Sequence, residues 1–247
     1  MGRAAMLIVL ALALATPVRG AWEQNQCVKC HEAETLPVTL GHSFADWRAS
    51  VHAKGGVGCE KCHGGDASAT TFEAAHKGVL PAADRASLVN PVHLPATCGA
   101  CHPKELAAFD GTVHAKQLRK EAEGATCFTC HDAMATSLPS PRELSARCSV
   151  CHKKPMEAQA ALVVLVSAKT QLYRTRRAVD EVKTVNPAWY DVALGRFHDL
   201  ERDYGAIQIR WHTFATREVL RDSRDVLKLS QALSEEAGVK IRHAAEH

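Results

Sequence analysis

The sequence predicts a mainly α chain with much irregular loop, built in two unlike parts, and two observations carry that prediction. Between residues 27 and 152 a pattern, Cys-x-x-Cys-His, recurs five times and uses all ten cysteines. That density of reactive side chains leaves little room for an ordinary apolar core. After Pro155 cysteine disappears, and apolar residues fall at steps of four and three, the spacing of one helix face. The chain therefore divides into a leader over 1–20, a cysteine-rich region over 21–155, a helical hairpin or bundle over 156–240 and a tail over 241–247.

The leader opens with Arg3, an apolar run from Ala4 to Ala15 and then Thr16-Pro17-Val18-Arg19-Gly20-Ala21. A run of this length has the layout of a secretory signal cleaved after Gly20, and an uncleaved anchor is the alternative. No later stretch is apolar for long enough to cross a bilayer. The sequence thus predicts export, with the periplasm as destination and no transmembrane span in the mature chain.

The copies of the pattern are Cys27/Cys30/His31, Cys59/Cys62/His63, Cys98/Cys101/His102, Cys127/Cys130/His131 and Cys148/Cys151/His152. Two thiols three positions apart lie on one side of a turn, where both can add to the vinyl groups of one haem while the next residue faces its iron. Zinc or a redox disulfide would also use Cys-x-x-Cys. Neither explains why histidine, 14 of 247 residues, follows all five pairs. Five pairs also cannot be grouped into whole four-cysteine zinc sites. The reading is haem c, five per chain, covalently attached, with His31, His63, His102, His131 and His152 as proximal ligands.

Here the sequence resembles the periplasmic multihaem c-type cytochromes, specifically a pentahaem one. The texture of residues 50–63 and 112–131, together with helices after the last motif, is similar to the hydroxylamine oxidoreductase and cytochrome c nitrite reductase group. That resemblance implies helices packed on haems and forming subunit contacts. The chain departs from the group in being much shorter and in lacking a Cys-x-x-Cys-Lys site. The resemblance also implies haem propionates, which the formal charge of +3 omits. Basic residues are then propionate neighbours, and no nucleic-acid partner is expected.

At one haem per 25 residues or so, the porphyrins must supply most of the buried apolar surface. Short helices are expected between loops at Gly55-Gly56, Gly64-Gly65, Pro81, Pro91, Pro95, Pro139 and Pro141. An internal repeat aligns Trp47-Arg48-Ala49-Ser50-Val51-His52-Ala53-Lys54 with Phe109-Asp110-Gly111-Thr112-Val113-His114-Ala115-Lys116. In the last third one helix should run from about Met156 to Val185 and stop at Asn186-Pro187. A second carries the stripe Ala193, Phe197, Leu200, Tyr204, Ile207, Trp211 and Phe214, and a third covers Val219 to Leu233. The stripe holds more aromatic area than a hairpin needs, so an oligomer or larger complex through these helices is expected.

The sixth iron ligand decides the chemistry: a second histidine closes the site for electron transfer, and an empty position admits substrate. Five histidines lie outside the motifs before Pro155, namely His42, His52, His76, His93 and His114, one for each iron. The repeat singles out His52 and His114. Met134 and Met156 lie too near His131 and His152 to be expected as ligands. His198 and His212 read as packing residues, with His212 the first substitute if His42 does not serve. Two functions follow. One is an electron carrier between a quinol-linked or soluble donor and an acceptor. The other is a small reductase of nitrogen or sulfur oxyanions using His198, Tyr204, Arg210 and His212 over an open iron. The matched histidine count favours the carrier.

Overall fold

The computed structural model describes residues 22–33, 42–132, 134, 139–153 and 155–246, so the leader and its cleavage site lie outside the described residues. The described residues form helices and loops without a strand. Ten short helices come first: α1 (Gln26–His31), α2 (Phe44–Ala49), α3 (Val51–Lys54), α4 (Glu60–His63), α5 (Phe72–Ala75), α6 (Leu94–Gly99), α7 (Pro103–Asp110), α8 (Val113–Glu121), α9 (Cys127–His131) and α10 (Pro141–Ser149). Three long ones follow: α11 (Met156–Val182), α12 (Pro187–Trp211) and α13 (Thr216–Ala245).

Local chemistry explains the punctuation. Gly64 and Gly65 take φ of 78° and 84°, the left-handed region where a glycine carries no Cβ penalty. Pro95 and Pro141, expected as loop residues, instead sit in the first turns of α6 and α10, where a missing N–H costs nothing. Ser140 completes a capping box with Glu143 ahead of α10.

Short connections at 183–186 and 212–215 make α12 antiparallel to α11 and α13, which leaves α11 parallel to α13. The α11–α13 seam is heptad-spaced. Ala161, Ala168, Thr175 and Val182 recur every seven residues on α11, opposite Ser223, Ser230 and Ala237 on α13, all fully buried. Leu165, Leu172 and Val179 interleave on one side, and Val219, Val226 and Leu233 on the other. The small residues let the backbones approach. Thr175 Oγ1 donates to the Ser230 carbonyl at 2.8 Å, so the buried hydroxyl is satisfied across the seam. A larger side chain here has nowhere to go. Ala168→Leu is expected to lower bundle stability by about 1–3 kcal/mol, read as an earlier denaturant midpoint with the haem content unchanged.

Asn186 belongs to the helix after the break: its side chain accepts from the Trp189 N–H at 3.1 Å and caps α12, while α11 already ends at Val182. Helix α13 runs past Leu233 to Ala245, into the stretch expected as tail. Of the expected stripe, Ala193, Phe197, Leu200, Tyr204 and Ile207 are buried within α12, and Trp211 is half-buried against the same core. Phe214 lies off the helix in the α12–α13 turn. The stripe packs mostly against α11, α13 and the haem-motif region of its own chain, so it does not by itself support the expected oligomer.

The two parts are joined. Leu144 of α10 belongs to the bundle core, and Cys130 and Cys148 pack against it. At the far end a small cluster of Val28, Trp47 and Ala53 holds Trp22, Phe44, Cys59 and Met134. Met134 is thus a packing residue, and Met156 is exposed.

Candidate haem-binding sites

Each Cys-x-x-Cys-His folds as a single helical turn. The backbone N–H of the histidine donates to the carbonyl of the first cysteine at 2.9 Å in His63, 3.0 Å in His102 and 2.8 Å in His152, and α1 and α9 span their motifs outright. Positions i, i+3 and i+4 share one helix face, so both thiols and the imidazole are presented together. No disulfide joins any of the ten thiols. Burial pushes the Cys59 thiol up to about 11 and raises Cys62 and Cys130 as well.

The ten cysteines differ in exposure. Cys30 is exposed, as are Cys101 and Cys151, whereas the other seven are half-buried. Cys59, Cys130 and Cys148 pack against a core cluster, and Cys30 belongs to neither cluster. The reason lies in α1, where Val28 is the one buried residue. Cys30 follows it by two positions, about 200° further round the helix, so burying Val28 turns Cys30 outward. Its place in a haem site rests on the motif and on its turn with Cys27 and His31 alone.

Opposite every motif histidine stands one further imidazole. Ring centres are 6.1 Å apart for His31 and His76, 5.9 Å for His63 and His42, 6.3 Å for His102 and His52, 6.1 Å for His131 and His212, and 5.8 Å for His152 and His114. Two imidazoles on opposite sides of one metal, each with a nitrogen about 2 Å from it, have ring centres roughly 6 Å apart. The residues present therefore fit an iron between each pair. We number the sites 1 to 5 in the order of their motifs.

The ring nitrogens agree with that fit. His42 Nδ1 is engaged by the Ser43 carbonyl at 3.0 Å, His76 Nδ1 by the Phe72 carbonyl at 2.9 Å and His212 Nδ1 by the Gln208 carbonyl at 3.0 Å. A backbone carbonyl on one nitrogen fixes the ring and leaves the other for a metal. His114 Nδ1 is buried without a hydrogen-bond partner, a polar atom that coordination would account for. Burial, reinforced by the facing imidazole, pushes His52, His63, His114 and His131 below the ordinary histidine range, toward the neutral form a metal binds.

The repeat is structural as well as sequential. Trp47 and Phe109 are buried. Ser50 and Thr112, also buried, cap α3 and α8 by accepting from the N–H of Ala53 and Ala115 at 3.2 and 3.1 Å. His52 and His114 come second in their helices and face the motif two places further along the chain in both copies.

Four of the five expected distal histidines thus face a motif histidine, and His93 does not. It is exposed, precedes α6, and its Nε2 is taken by the Arg85 carbonyl at 2.8 Å. The fifth imidazole is His212, at the C-terminus of α12. The repeat held the signal: His42 lies five residues before Trp47, and the counterpart five residues before Phe109 is Lys104. The second copy lacks that histidine, and site 4 receives one from the bundle. The other residues expected around an open iron are not gathered there. Tyr204 is buried in the bundle core, Arg210 pairs with Asp222, and His198 is exposed beside Phe197.

Consecutive motifs are neighbours. Cys27 lies close enough to Cys59, Cys62 to Cys98 and Cys101, and Cys130 to Cys148 for each charge to act on the next, and Cys98 lies beside Cys127. The five sites follow one another in chain order.

Comparison with known proteins bears on the class of cofactor. The profile of the family described as cytochrome c554 and c-prime matches residues 12–64, which hold the first two motifs with His42 and His52. The chain is 31% identical over 112 residues to the C-type polyheme cytochrome OmcC of Geobacter sulfurreducens, and 34% identical over 117 residues to OmcB of the same species. Together these support a multihaem c-type cytochrome. The matched stretches are 42% and 43% of this chain but only 14% and 13% of those relatives. No solved structure matches the chain.

Proposed function

We propose that this protein is an electron carrier working outside the cytoplasm, with five covalently attached haems, each held between two imidazoles. The observation that carries the reading is the pairing of all five motif histidines with a second histidine about 6 Å away. Haem c, when bound, supplies an iron that gains and loses one electron with its six ligands unchanged.

The chain's own residues do the rest. The ten thiols, Cys30 among them, would hold the haems when these are bound, and the motifs neighbour one another in chain order. His42, His52, His76, His114 and His212 occupy the positions a substrate would need, which favours transfer over the alternative of oxyanion reduction. Backbone carbonyls at Ser43, Phe72 and Gln208 hold three of those rings, so little rearranges when the charge at the metal changes. A redox protein at either end of the row, quinol-linked or soluble, is the partner class this arrangement serves. Among the described residues no helix is long and apolar enough to cross a membrane. The leader over 1–20 and haem attachment to thiols place the work in the periplasm in this reading.

Mass spectrometry of the denatured holoprotein should give the mature chain plus five haems. The oxidised protein should be wholly low-spin, and the dithionite-reduced protein should not bind carbon monoxide. Fewer than five haems, or a high-spin haem that turns over nitrite or hydroxylamine, would sink the proposal.

A further inference from the structure

One four-residue turn, His212 to Ala215, touches two of the sites although it lies some 60 residues or more beyond their motifs. His212 faces His131 at site 4, and Phe214 sets its ring edge-to-face on His114, the distal imidazole of site 5, with centres 4.5 Å apart at 73°. Phe214 adopts φ of 58°, a region bulky residues avoid. Glycine would relieve that backbone and lose the ring. The turn is otherwise well bonded: the Phe214 N–H donates to the Trp211 carbonyl at 3.0 Å and the Thr213 hydroxyl to the Arg210 carbonyl at 2.8 Å.

The two imidazole pairs this turn reaches lie at opposite extremes of orientation. The His131 and His212 planes are 19° apart, whereas those of His114 and His152 are 86° apart. The remaining pairs are at 55°, 64° and 69°. We propose that the α12–α13 turn sets these planes, with His212 held parallel to His131 and Phe214 holding His114 perpendicular to His152, making site 4 electronically unlike the other four. The inference rests on the paired-imidazole reading of the sites.

The physical reason lies in the iron π orbitals. In low-spin ferric iron the unpaired electron occupies one of two d orbitals that overlap the axial imidazoles. Parallel rings act on the same d orbital and split the two in energy. Perpendicular rings act on one each and leave them nearly equal. A split pair gives a rhombic paramagnetic signal, and a nearly equal pair gives a single strongly anisotropic feature at low field. His212 keeps its plane because Gln208 binds its Nδ1 at the helix end. His114 has no backbone carbonyl on Nδ1, and the ring set edge-to-face against it is that of Phe214. Phe214 is in this sense a positioning residue.

The test is electron paramagnetic resonance of the oxidised, five-haem protein. The wild type should show one rhombic low-spin signal integrating to one haem, with the rest strongly anisotropic. His212→Ala should remove the rhombic signal specifically. Phe214→Leu should move the lowest-field signal and spare the rhombic one, and Phe214→Tyr should leave both in place. Should Phe214→Leu fail to load its haems, the wild-type signal count and the His212→Ala spectrum decide the matter. An all-low-spin wild type with no rhombic signal or several, or a Phe214→Leu spectrum identical to wild type, overturns the inference. A high-spin signal in the wild type points elsewhere, to failure of the paired-imidazole reading itself.

Discussion

Replacing His212 by alanine is expected to turn one haem of the five high-spin and to create carbon monoxide binding in the reduced protein, while His93→Ala leaves every haem low-spin. The contrast follows from which nitrogen each histidine has engaged. His212 gives Nδ1 to the Gln208 carbonyl and faces His131 with the rest of its ring, whereas His93 has its Nε2 on the Arg85 carbonyl and faces no motif histidine. Losing the first removes an axial ligand, and losing the second removes a loop hydrogen bond worth roughly 0.5–1.5 kcal/mol. Both variants should keep five thioether-bound haems, since no cysteine is changed. Carbon monoxide difference spectra read the outcome directly, and binding by His93→Ala in place of His212→Ala would reverse the assignment. Restoring a ligand with His212→Met should close the site again and raise the potential of that one haem.

The pair of histidines in that comparison marks where the sequence stops being legible. The helical class, the five motif turns, the α12 stripe from Ala193 to Ile207 and the break before Pro187 are all local: they follow from spacing within a turn or two, and the backbone obeys them. The repeat is local too, which is why its buried caps at Ser50 and Thr112 and the facing of His52 and His114 recur in both copies. Assigning the fifth imidazole needs tertiary information, because His212 lies 81 positions beyond His131 and reaches it only after three long helices have packed. Counting spare histidines ahead of Pro155 takes in His93, which faces no motif histidine, and leaves out His212, which does; Lys104 at the counterpart of His42 is the residue that marks the difference. The exposure of Cys30, Cys101 and Cys151 is of the same kind, since the motif pattern carries no mark of which thiols the rest of the chain will cover. The α11–α13 seam escaped for another reason. Ala161, Ala168, Ser223 and Ser230 are too small or too polar to read as an apolar face, although their smallness is what lets the two helices close.

Made without haem attachment, the protein is expected to be digested through residues 22–153 while α11–α13 survives as a folded fragment. The distribution of buried apolar side chains requires it. Among the described residues, the buried hydrophobic side chains of the cysteine-rich part are Val28, Trp47, Ala53, Phe109, Ala115, Leu118 and Leu144, against sixteen in the bundle. Two of those seven are alanines, and Leu144 belongs to the bundle core. At about 1.5–3 kcal/mol for each large side chain buried, so few cannot offset roughly 1–2 kcal/mol of backbone entropy for every residue ordered. The cofactors must supply the difference, as metals do in small domains that are unfolded without them. The bundle draws its stability from the heptad seam and from the Arg196–Glu236 and Arg217–Glu157 pairs that tie α13 to its neighbours. Those pairs are exposed and screened by water, so the seam dominates. Limited proteolysis of protein expressed without the attachment machinery should therefore leave a helical fragment beginning near Met156 that unfolds cooperatively. A protease-resistant apo region carrying the five motifs would contradict the argument, because it would mean that polypeptide alone buries enough surface there to fold.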